Sequence, residues 1–547
     1  MKFKRHIMRN ILFGTIALLL ISCNEGNTDK KSSKTPVKPN VVLIMADDMG
    51  FSDLGSYGSE INTPSLDRLA SEGTRLLRFY NNTICAPSRA SLLTGQYPHK
   101  AGIGFFNEDF GLPGYEGYLN KESLTLGEVF KSGGYSTYMS GKWHVGNEKP
   151  HWPFQRGFDG FFGFLDGGAS YFDTKPLLKG PPSTAFLYEN NEVYNIDKED
   201  FYLTDELTDR AIDFVKNTPE GNPFFLYMAY NAPHWPLHAK AEDIAKYKGK
   251  YDAGWDELRK LRFENIKKLG LADEHWNLFK DKLLPSWDSL STEEKADWTL
   301  KMEVYAAMVD NLDQNIGKLL NYLGTTDQLE NTVVIFLSDN GAENMDVGKM
   351  PFTVKRNEGA VGTAGSMEAY SKKWAQVSNS PLRSYKSSPY EGGTATPFII
   401  RYPGQKDSGK ILEGGAHLVD LMPTLLDITG VKYPETYNGV TPNPLVGESL
   451  LPLLSQGKWD REQPICFEWF GDRAVWLGNL KGVHQYQKEW ELYDLSTDRT
   501  ESNNIAASQP ETIAKMDSIY NKWATENGVI PWSEEMAKKT QFRRQTH

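Results

Sequence analysis

Acidic and amide side chains follow two apolar runs of this chain. Asp47 and Asp48 come directly after one run, and Asp339 and Asn340 come directly after another. Either pair alone is adequately explained as a turn, because Asp and Asn are common where strands end. Together they provide carboxylate and amide oxygens, with no thiolate or imidazole cluster beside them. This set suits calcium or magnesium better than zinc, so the sequence predicts a site for one hard cation.

Three further apolar runs end near residues that carry charge or transfer protons: Lys142 and His144 after 135–139, His234 after 224–230, and Cys85 and Arg89 after 75–80. Ligands of open parallel sheets bind beyond the carboxyl ends of the strands. We therefore expect these side chains to lie near the acidic pairs. We interpret His151, His238 and His417 as packing residues of the core.

Strand-like runs alternate with helix-like segments along most of the chain. The helical segments are 63–72, 123–132, 204–216 and 301–323. This alternation predicts an α/β fold with a mostly parallel sheet covered by helices on both faces. Beyond residue 456, four short strand-like runs precede a helix near 511–526, which indicates a small antiparallel sheet. We therefore divide the chain into a catalytic domain, 40–455, and a C-terminal subdomain, 456–547.

The N-terminus has the layout of a bacterial lipoprotein signal. Basic residues precede an apolar run too short to span a membrane comfortably, and the run ends in Leu-Ile-Ser-Cys23. We expect residues 1–22 to be a signal peptide, Cys23 to carry lipid and residues 23–39 to be a tether. An ordinary signal peptide with an incidental cysteine is the alternative. This predicts an exported protein, a periplasmic or cell-surface lipoprotein of a Gram-negative bacterium.

Composition excludes some classes of protein. The 547 residues include 71 acidic and 60 basic side chains, a net charge of −11, which argues against a nucleic-acid partner. There are three cysteines. With Cys23 lipidated, a disulfide between Cys85 and Cys466 is one explanation for the other two, but the chain is not a disulfide scaffold.

The segment 85–95, Cys-Ala-Pro-Ser-Arg-Ala-Ser-Leu-Leu-Thr-Gly, resembles the signature Cys-x-Pro-Ser-Arg-x-x-x-Leu-Thr-Gly of the sulfatases. Other matching segments are 141–146, 156–163, 232–234, 338–341, 390–393 and 490–495. The resemblance extends from Asn40 to about Asn504, is strongest to bacterial arylsulfatase-type members with an insertion at 247–296, and implies an alkaline-phosphatase-like fold. One departure is Ala395, where the family usually has arginine; this puts a supporting interaction in doubt.

The resemblance implies the cofactors. In this family a maturation enzyme converts the signature cysteine, here Cys85, into formylglycine. By the same resemblance, one Ca²⁺ is expected to be held by the two acidic pairs and residue 85. Lys142 and Lys386 are expected to bind the sulfate. Lys386 is assigned by its place before Glu391, and the alternatives for this role are Arg383, Lys372 and Lys373.

The resemblance also implies a mechanism. One hydroxyl of the hydrated aldehyde attacks sulfur, and the second later expels sulfate, so one difficult step becomes two. Asp339 is a candidate base, and Arg89 orients the diol. His144 takes the proton from the second hydroxyl. His234, assisted by Lys386, protonates the leaving oxygen.

The expected substrate is a sulfated saccharide rather than an aryl sulfate, because sulfated glycans are the substrates expected of a bacterial lipoprotein of this kind. A phosphatase or phosphodiesterase of the same fold is an alternative, although those enzymes usually have a Ser or Thr nucleophile and histidine-rich zinc sites. A glycan-binding lipoprotein that has lost catalysis is another. We expect the C-terminal aromatic residues to pack in the core rather than to line the substrate cleft. They are Trp469, Trp476, Tyr486, Trp490 and Tyr493.

Overall fold

The computed structural model describes residues 38–177, 186–279, 281, 284–347, 350, 359–533 and 536. Residues from Lys38 onward form one compact unit. The predicted signal peptide, the lipid attachment site Cys23 and most of the tether lie outside the described residues. Within the described part, no helix has the length and apolar character needed to cross a bilayer.

A large mixed sheet forms the centre of the protein. Its ten described strands, in chain order, are β1 Asn40–Ala46, β2 Thr74–Tyr80, β3 Ser136–Lys142, β4 Gly160–Phe164, β5 Leu187–Glu189, β6 Glu192–Tyr194, β7 Phe224–Ala229, β8 Thr332–Ser338, β9 Phe398–Arg401 and β10 Lys410–His417. They are arranged in the order β10-β2-β9-β8-β1-β7-β3-β4-β5-β6. β1 pairs in parallel with β7 and β8, and β3 pairs in parallel with β7 and β4. β9 and β5 are antiparallel to their neighbours. The prediction of a mostly parallel sheet is confirmed.

Helices cover both faces of this sheet, and for that reason every residue of β1, β3, β7 and β8 is buried. The helices are α1 Pro64–Glu72, α2 Cys85–Thr94, α3 Pro98–Ala101, α4 Leu126–Ser132, α5 Leu203–Lys216, α6 Ala241–Ala245, α7 Gly254–Lys268, α8 Thr292–Thr325, α9 Ser371–Ser378, α10 Glu391–Thr394, α11 Leu421–Thr429, α12 Leu451–Gln456 and α13 Pro510–Asn527.

The longest helix, α8, begins nine residues before the predicted segment 301–323. Ser291 and Glu294 form a capping box at its start, each side chain bonding the backbone N–H of the other. This pair satisfies amide groups that would otherwise lack partners, so the polar stretch before residue 301 continues the helix.

The C-terminal part contains the predicted antiparallel sheet, with strands β11 Ile465–Trp469, β12 Asp472–Leu477, β13 Leu480–His484 and β14 Trp490–Asp494. Helix α13 packs against β12. Trp469, Trp476 and Tyr493 are buried, as core packing requires. Cys85 and Cys466 are both free and buried, so the disulfide considered between them is wrong.

Candidate active site

The acidic pairs meet because their strands are neighbours. β8, β1, β7 and β3 are adjacent in the sheet and run in the same direction, so their carboxyl ends share one edge. Asp48 follows β1 with a φ of 65°, and His144 follows β3 with a φ of 59°. Non-glycine residues rarely adopt this conformation, and such residues concentrate at functional sites.

Cys85 is the first residue of α2, and both the thiol and the whole helix are buried. Burial raises the pKa of the thiol, although Lys142 and Lys386 act to lower it. The unmodified thiol is therefore protonated near neutral pH and is a poor nucleophile. The charges of Asp47 and Asp339 also act on it, which shows that Cys85 lies among the predicted site residues.

Asp47 and Asp339 are linked by cations within the buried site. Lys142 Nζ lies 2.8 Å from Asp47 Oδ2. Arg89 donates to Asp339 Oδ2 at 2.8 Å and to the carbonyl oxygen of Lys142 at 3.1 Å. Its guanidinium also lies 3.6 Å from Asp47 Oδ1. Burial raises the pKa of Asp47 despite these cations, so a further positive charge would favour its ionised form.

Asp48 is surrounded by different partners. Asn340 Nδ2 donates to Asp48 Oδ1 at 2.7 Å, and Lys386 Nζ donates to Asp48 Oδ2 at 2.9 Å. Burial acts to raise the pKa of Asp48, but the charge of Lys386 and the hydrogen bond from its ammonium group outweigh it, and the pKa lies below its usual range. Asp48 therefore stays ionised.

Glu343 is a site residue that our sequence reasoning did not identify. It is 2% exposed, and its Oε2 atom accepts hydrogen bonds from Lys386 Nζ at 3.0 Å and from Trp235 Nε1 at 3.2 Å. Glu343 thus joins Lys386 to the segment that carries His234. Its position four residues after Asp339, beyond the end of β8, is the signal that could have indicated it.

The two histidines face the same site. His234 Nδ1 lies 2.6 Å from the carbonyl oxygen of Trp235, so Nδ1 carries a proton. Its Nε2 lies 3.6 Å from Asp48 Oδ2. Burial, and then the nearby Lys142, lowers the pKa values of both His234 and His144 well below the ordinary value, although for His234 the Asp48 charge opposes this. Both imidazoles are neutral in this state.

The oxygen atoms of the site fit a hard cation. Asp47 Oδ1 and Asn340 Oδ1 are buried and have no hydrogen-bond partner within the described structure. Buried acceptors normally have partners, and a bound cation would provide one. Among the His, Cys, Asp and Glu residues described, Asp47, Asp48 and His234 also bring possible ligand atoms within 4.8 Å of one another. Asp47, Asp48 and Asn340 of the predicted ligand set therefore fit a divalent cation. The two oxygens of Asp339 accept hydrogen bonds from Arg89 and from the Asp48 N–H, so a bound ion would share them with these donors.

The alternatives to Lys386 occupy other places. Arg383 donates to Glu501 O at 3.1 Å and to the Tyr493 hydroxyl at 2.8 Å, both in the C-terminal part. Lys373 lies 3.9 Å above the ring of Trp298, and Lys372 lines a separate cavity of about 180 Å³. Of the four candidates, Lys386 is the one placed against Asp48.

The C-terminal part holds Glu391, which lies four residues before the position of the missing arginine. Glu391, at the start of α10, is fully buried and accepts hydrogen bonds from Lys481 at 3.0 Å and from Arg499 at 3.2 Å. Burial acts to raise the pKa of Glu391, but Lys481 and Arg499 lower it below its ordinary value. Ala395, where the family arginine would stand, makes no such contact.

A mostly parallel sheet with buried carboxylates, lysines and histidines at its carboxyl edge defines a hydrolase of the alkaline-phosphatase-like superfamily. The sequence matches the sulfatase family over residues 39–431. It also matches the family described as N-sulphoglucosamine sulphohydrolase, C-terminal, over residues 385–523. The chain belongs to the sulfatase family, and it is a sulfuric ester hydrolase.

Individual relatives agree with this assignment. The chain is 37% identical to an uncharacterized sulfatase of Schizosaccharomyces pombe over 90% of this chain and 94% of the relative. It is 35% identical to an arylsulfatase of Klebsiella aerogenes over 76% of this chain and 91% of the relative. A similar solved structure is the crystal structure of Ps i-CgsB in complex with k-i-k-neocarrahexaose. The two sequences are 28% identical, and the structures match with a TM-score of 0.67 over 92% of this chain and 97% of the Ps i-CgsB chain.

Proposed function

We propose that the protein hydrolyses a sulfate monoester on a saccharide, with formylglycine at position 85 and one bound Ca²⁺. The observation that carries the proposal is the position of Cys85 at a buried helix start among Lys142, Lys386, Asp47 and Asp339. A sulfate monoester is an anion, and two buried lysines and a helix N-terminus favour its binding there.

The cofactors have defined places in this proposal. Asp47, Asp48, Asp339 and Asn340 would hold Ca²⁺, which supplies Lewis acidity toward a sulfate oxygen. Conversion of Cys85 to formylglycine by a maturation enzyme would supply a hydroxyl nucleophile that the protonated thiol does not provide.

The remaining side chains bind and orient the substrate. Lys142 and Lys386 are each held by a carboxylate, at 2.8 Å from Asp47 and 2.9 Å from Asp48, so their ammonium groups are fixed rather than mobile. Arg89, bonded to Asp339 at 2.8 Å, fixes the first turn of α2 around residue 85. Such preorganised charge reduces the reorganisation needed as the transition state forms.

Proton transfer is assigned to the two histidines. Because Nδ1 of His234 donates to the Trp235 carbonyl, Nε2 is the atom that would hold the proton delivered to the leaving oxygen. The anionic sulfate would offset Lys142 and Lys386 and raise the pKa of His234, so substrate binding favours this protonation. His144, neutral in the free site, would take up the proton from the group at position 85.

The decisive experiment uses protein coexpressed with a formylglycine-generating enzyme. Mass spectrometry of the peptide containing residue 85 measures conversion, since the aldehyde lacks sulfur. Sulfate release is then assayed on sulfated saccharides, 4-nitrophenyl sulfate and 4-nitrophenyl phosphate. We expect sulfate release from converted protein and none from Cys85→Ala. Equal activity of Cys85→Ala and the converted protein would refute the mechanism, and preferred cleavage of the phosphate would favour a phosphatase.

Aryl sulfates are the second candidate substrate, and the observation that favours them is the 35% identity to the Klebsiella arylsulfatase. We favour saccharides because the similar Ps i-CgsB was crystallised with a hexaose. The ratio of kcat/KM values for the best sulfated sugar and for 4-nitrophenyl sulfate distinguishes the two.

If Cys85 remains unmodified in the native host, the alternative of a glycan-binding protein without catalysis gains support.

We also propose that lipid at Cys23 anchors the exported protein to a membrane of a Gram-negative cell, on the periplasmic side or at the surface. The support is the sequence Leu-Ile-Ser-Cys that ends the apolar run. The wild type should partition into detergent, and Cys23→Ser should remain in the aqueous phase with unchanged specific activity. Aqueous partitioning of the wild type would contradict the anchor.

A further inference from the structure

A chain of polar side chains runs beside His144 and is not used by the mechanism above. Asn107 Nδ2 donates to Asn147 Oδ1 at 2.7 Å, and Asn147 Nδ2 donates to Asp166 Oδ1 at 2.9 Å. Both amides thus donate in the direction of the carboxylate. The chain therefore ends in the carboxylate of Asp166, which can accept further hydrogen bonds from a neighbouring donor.

Residues next to Asn107 and Asp166 in the sequence contact His144. Phe106, the neighbour of Asn107, lies parallel to the imidazole with its ring centre 6.0 Å away. The backbone N–H of His144 donates to Leu165 O at 3.0 Å, one residue before Asp166. A Cβ atom on Gly167 would lie 3.0 Å from His144 Cε1 and Nε2. These contacts place the residues on both sides of Asp166 against His144, and Asp166 itself is half-buried beside the site.

Asp166 has few hydrogen-bond partners among the described protein groups. It is half-buried, and within the described residues Asn147 is its one side-chain donor. Burial raises the pKa of Asp166 to about 6, the hydrogen bond from Asn147 opposes this, and no described cation contributes. Because the side chain is half-buried, the remaining lone pairs of Asp166 are open to water, which a ligand with hydroxyl donors can replace.

The charge of Asp166 indicates which part of the substrate it meets. A carboxylate repels the sulfate group, which Lys142 and Lys386 attract on the other side of the site. The hydroxyls of a sugar can donate hydrogen bonds to a carboxylate, whereas an unsubstituted aryl leaving group offers no hydrogen-bond donor. Phe106, half-buried beside Asn107, adds apolar surface of the kind that lines sugar-binding sites.

We propose that Asp166, oriented by Asn147 and Asn107, binds a hydroxyl of the sulfated sugar close to the ester and selects a polyhydroxylated leaving group over an aromatic one. This rests on the proposed sulfatase function and adds a specificity-determining residue to it.

The test compares Asp166→Asn with the matched control Glu148→Gln, which removes an exposed carboxylate next to Asn147. kcat and KM are measured for the converted enzymes on 3-O-, 4-O- and 6-O-sulfated galactose, N-acetylgalactosamine and N-acetylglucosamine, and on 4-nitrophenyl sulfate. We expect Asp166→Asn to lower kcat/KM on the best sugar about 10- to 100-fold. The aryl sulfate should change less than about twofold, because it offers no hydroxyl to lose.

Asn147→Ala should give a smaller loss in the same direction, and it serves as the test if Asp166→Asn does not fold. Equal losses on sugar and aryl substrates, no loss on the sugar, or a wild type that cleaves aryl sulfate alone would each overturn the inference while leaving the sulfatase function intact. A converted wild type that cleaves no sulfate ester would instead overturn the proposed function, and the inference with it.

Discussion

The ammonium group of Lys142 lies 2.8 Å from a carboxylate oxygen of Asp47, and neither side chain is exposed to solvent. Lys142 ends β3 and Asp47 follows β1, with β7 between these two strands. The two residues are 95 positions apart in the chain. Removing one member leaves a buried charge without its partner, which is far more costly than losing a surface pair. This relationship links the stability of the site to its chemistry.

Lys142→Met should therefore lower both activity and stability. The loss of a fixed cation beside the sulfate predicts a fall of at least about 100-fold in kcat/KM. The uncompensated Asp47 carboxylate predicts a loss of about 3–5 kcal/mol in the free energy of unfolding. Steady-state kinetics and urea titration measure the two effects, with the exposed Lys121→Met as control. Activity close to that of the wild type would remove Lys142 from the mechanism.

Metal removal should lower activity and thermal stability together. Asp47 Oδ1 and Asn340 Oδ1 are buried acceptors without described partners, so chelation leaves them desolvated and unpaired. Ca²⁺ at 100 times its Kd should stabilise the chelated protein by about 2.7 kcal/mol. Differential scanning fluorimetry with added Ca²⁺ or Zn²⁺ checks this. Asn340→Ala should lose the calcium-dependent shift, whereas the exposed Glu293→Gln should keep it; an unchanged shift in Asn340→Ala would contradict the ligand assignment.

The contact between Glu391 and Lys481 should contribute strongly to the free energy of unfolding. Both side chains are fully buried, with Lys481 Nζ 3.0 Å from Glu391 Oε1 and 2.8 Å from Glu501 Oε1. Lys481→Met should cost about 3–5 kcal/mol of unfolding free energy, because two carboxylates lose their shared cation. Chemical denaturation measures the cost.

The double variant Glu391→Gln/Lys481→Met should be less destabilised than the sum of the single variants, because the unpaired charge is removed with its partner. The exposed Lys488→Met should have no measurable effect. Additive losses would show that the two residues contribute independently.

Acid should destabilise the protein partly through His417. This side chain is buried, its Nδ1 accepts from the Val419 N–H at 3.3 Å, and burial followed by Arg461 lowers its pKa to about 3. In the unfolded chain the pKa is about 6.5. The unfolded state therefore binds a proton that the folded state does not, and stability is lost as pH falls from about 6.5 toward 3, by up to about 1.4 kcal/mol per pH unit.

His417→Asn keeps an acceptor for the Val419 N–H but does not titrate. The Tm advantage of the wild type over this variant should shrink between pH 7.5 and pH 5.0. The exposed His275→Asn should show no such change. A constant Tm difference between His417→Asn and the wild type would rule out His417 as a source of acid sensitivity.

The sequence alone determined the elements and the identities of the reactive groups. Buried strands can be read from local apolar runs, and the rule that parallel strands share an edge brought Asp47, Asp48, Asp339 and Asn340 together. The signature at 85–95 indicated the family. The ligand assignments, the formylglycine and the lipid anchor remain predictions. The structure places the ligand residues together, and Cys23 lies outside its described residues.

Only the tertiary structure decided which side chains support the reactive groups. Glu343 beside Lys386, Lys481 and Arg499 beside Glu391, and Asn147 beside Asp166 are contacts between segments that no periodic pattern connects. Lys386 and Asp48, for example, are 338 positions apart. Local sequence sets strands and caps through nearby backbone and side-chain forces, whereas the partner of a buried charge depends on how distant loops pack together.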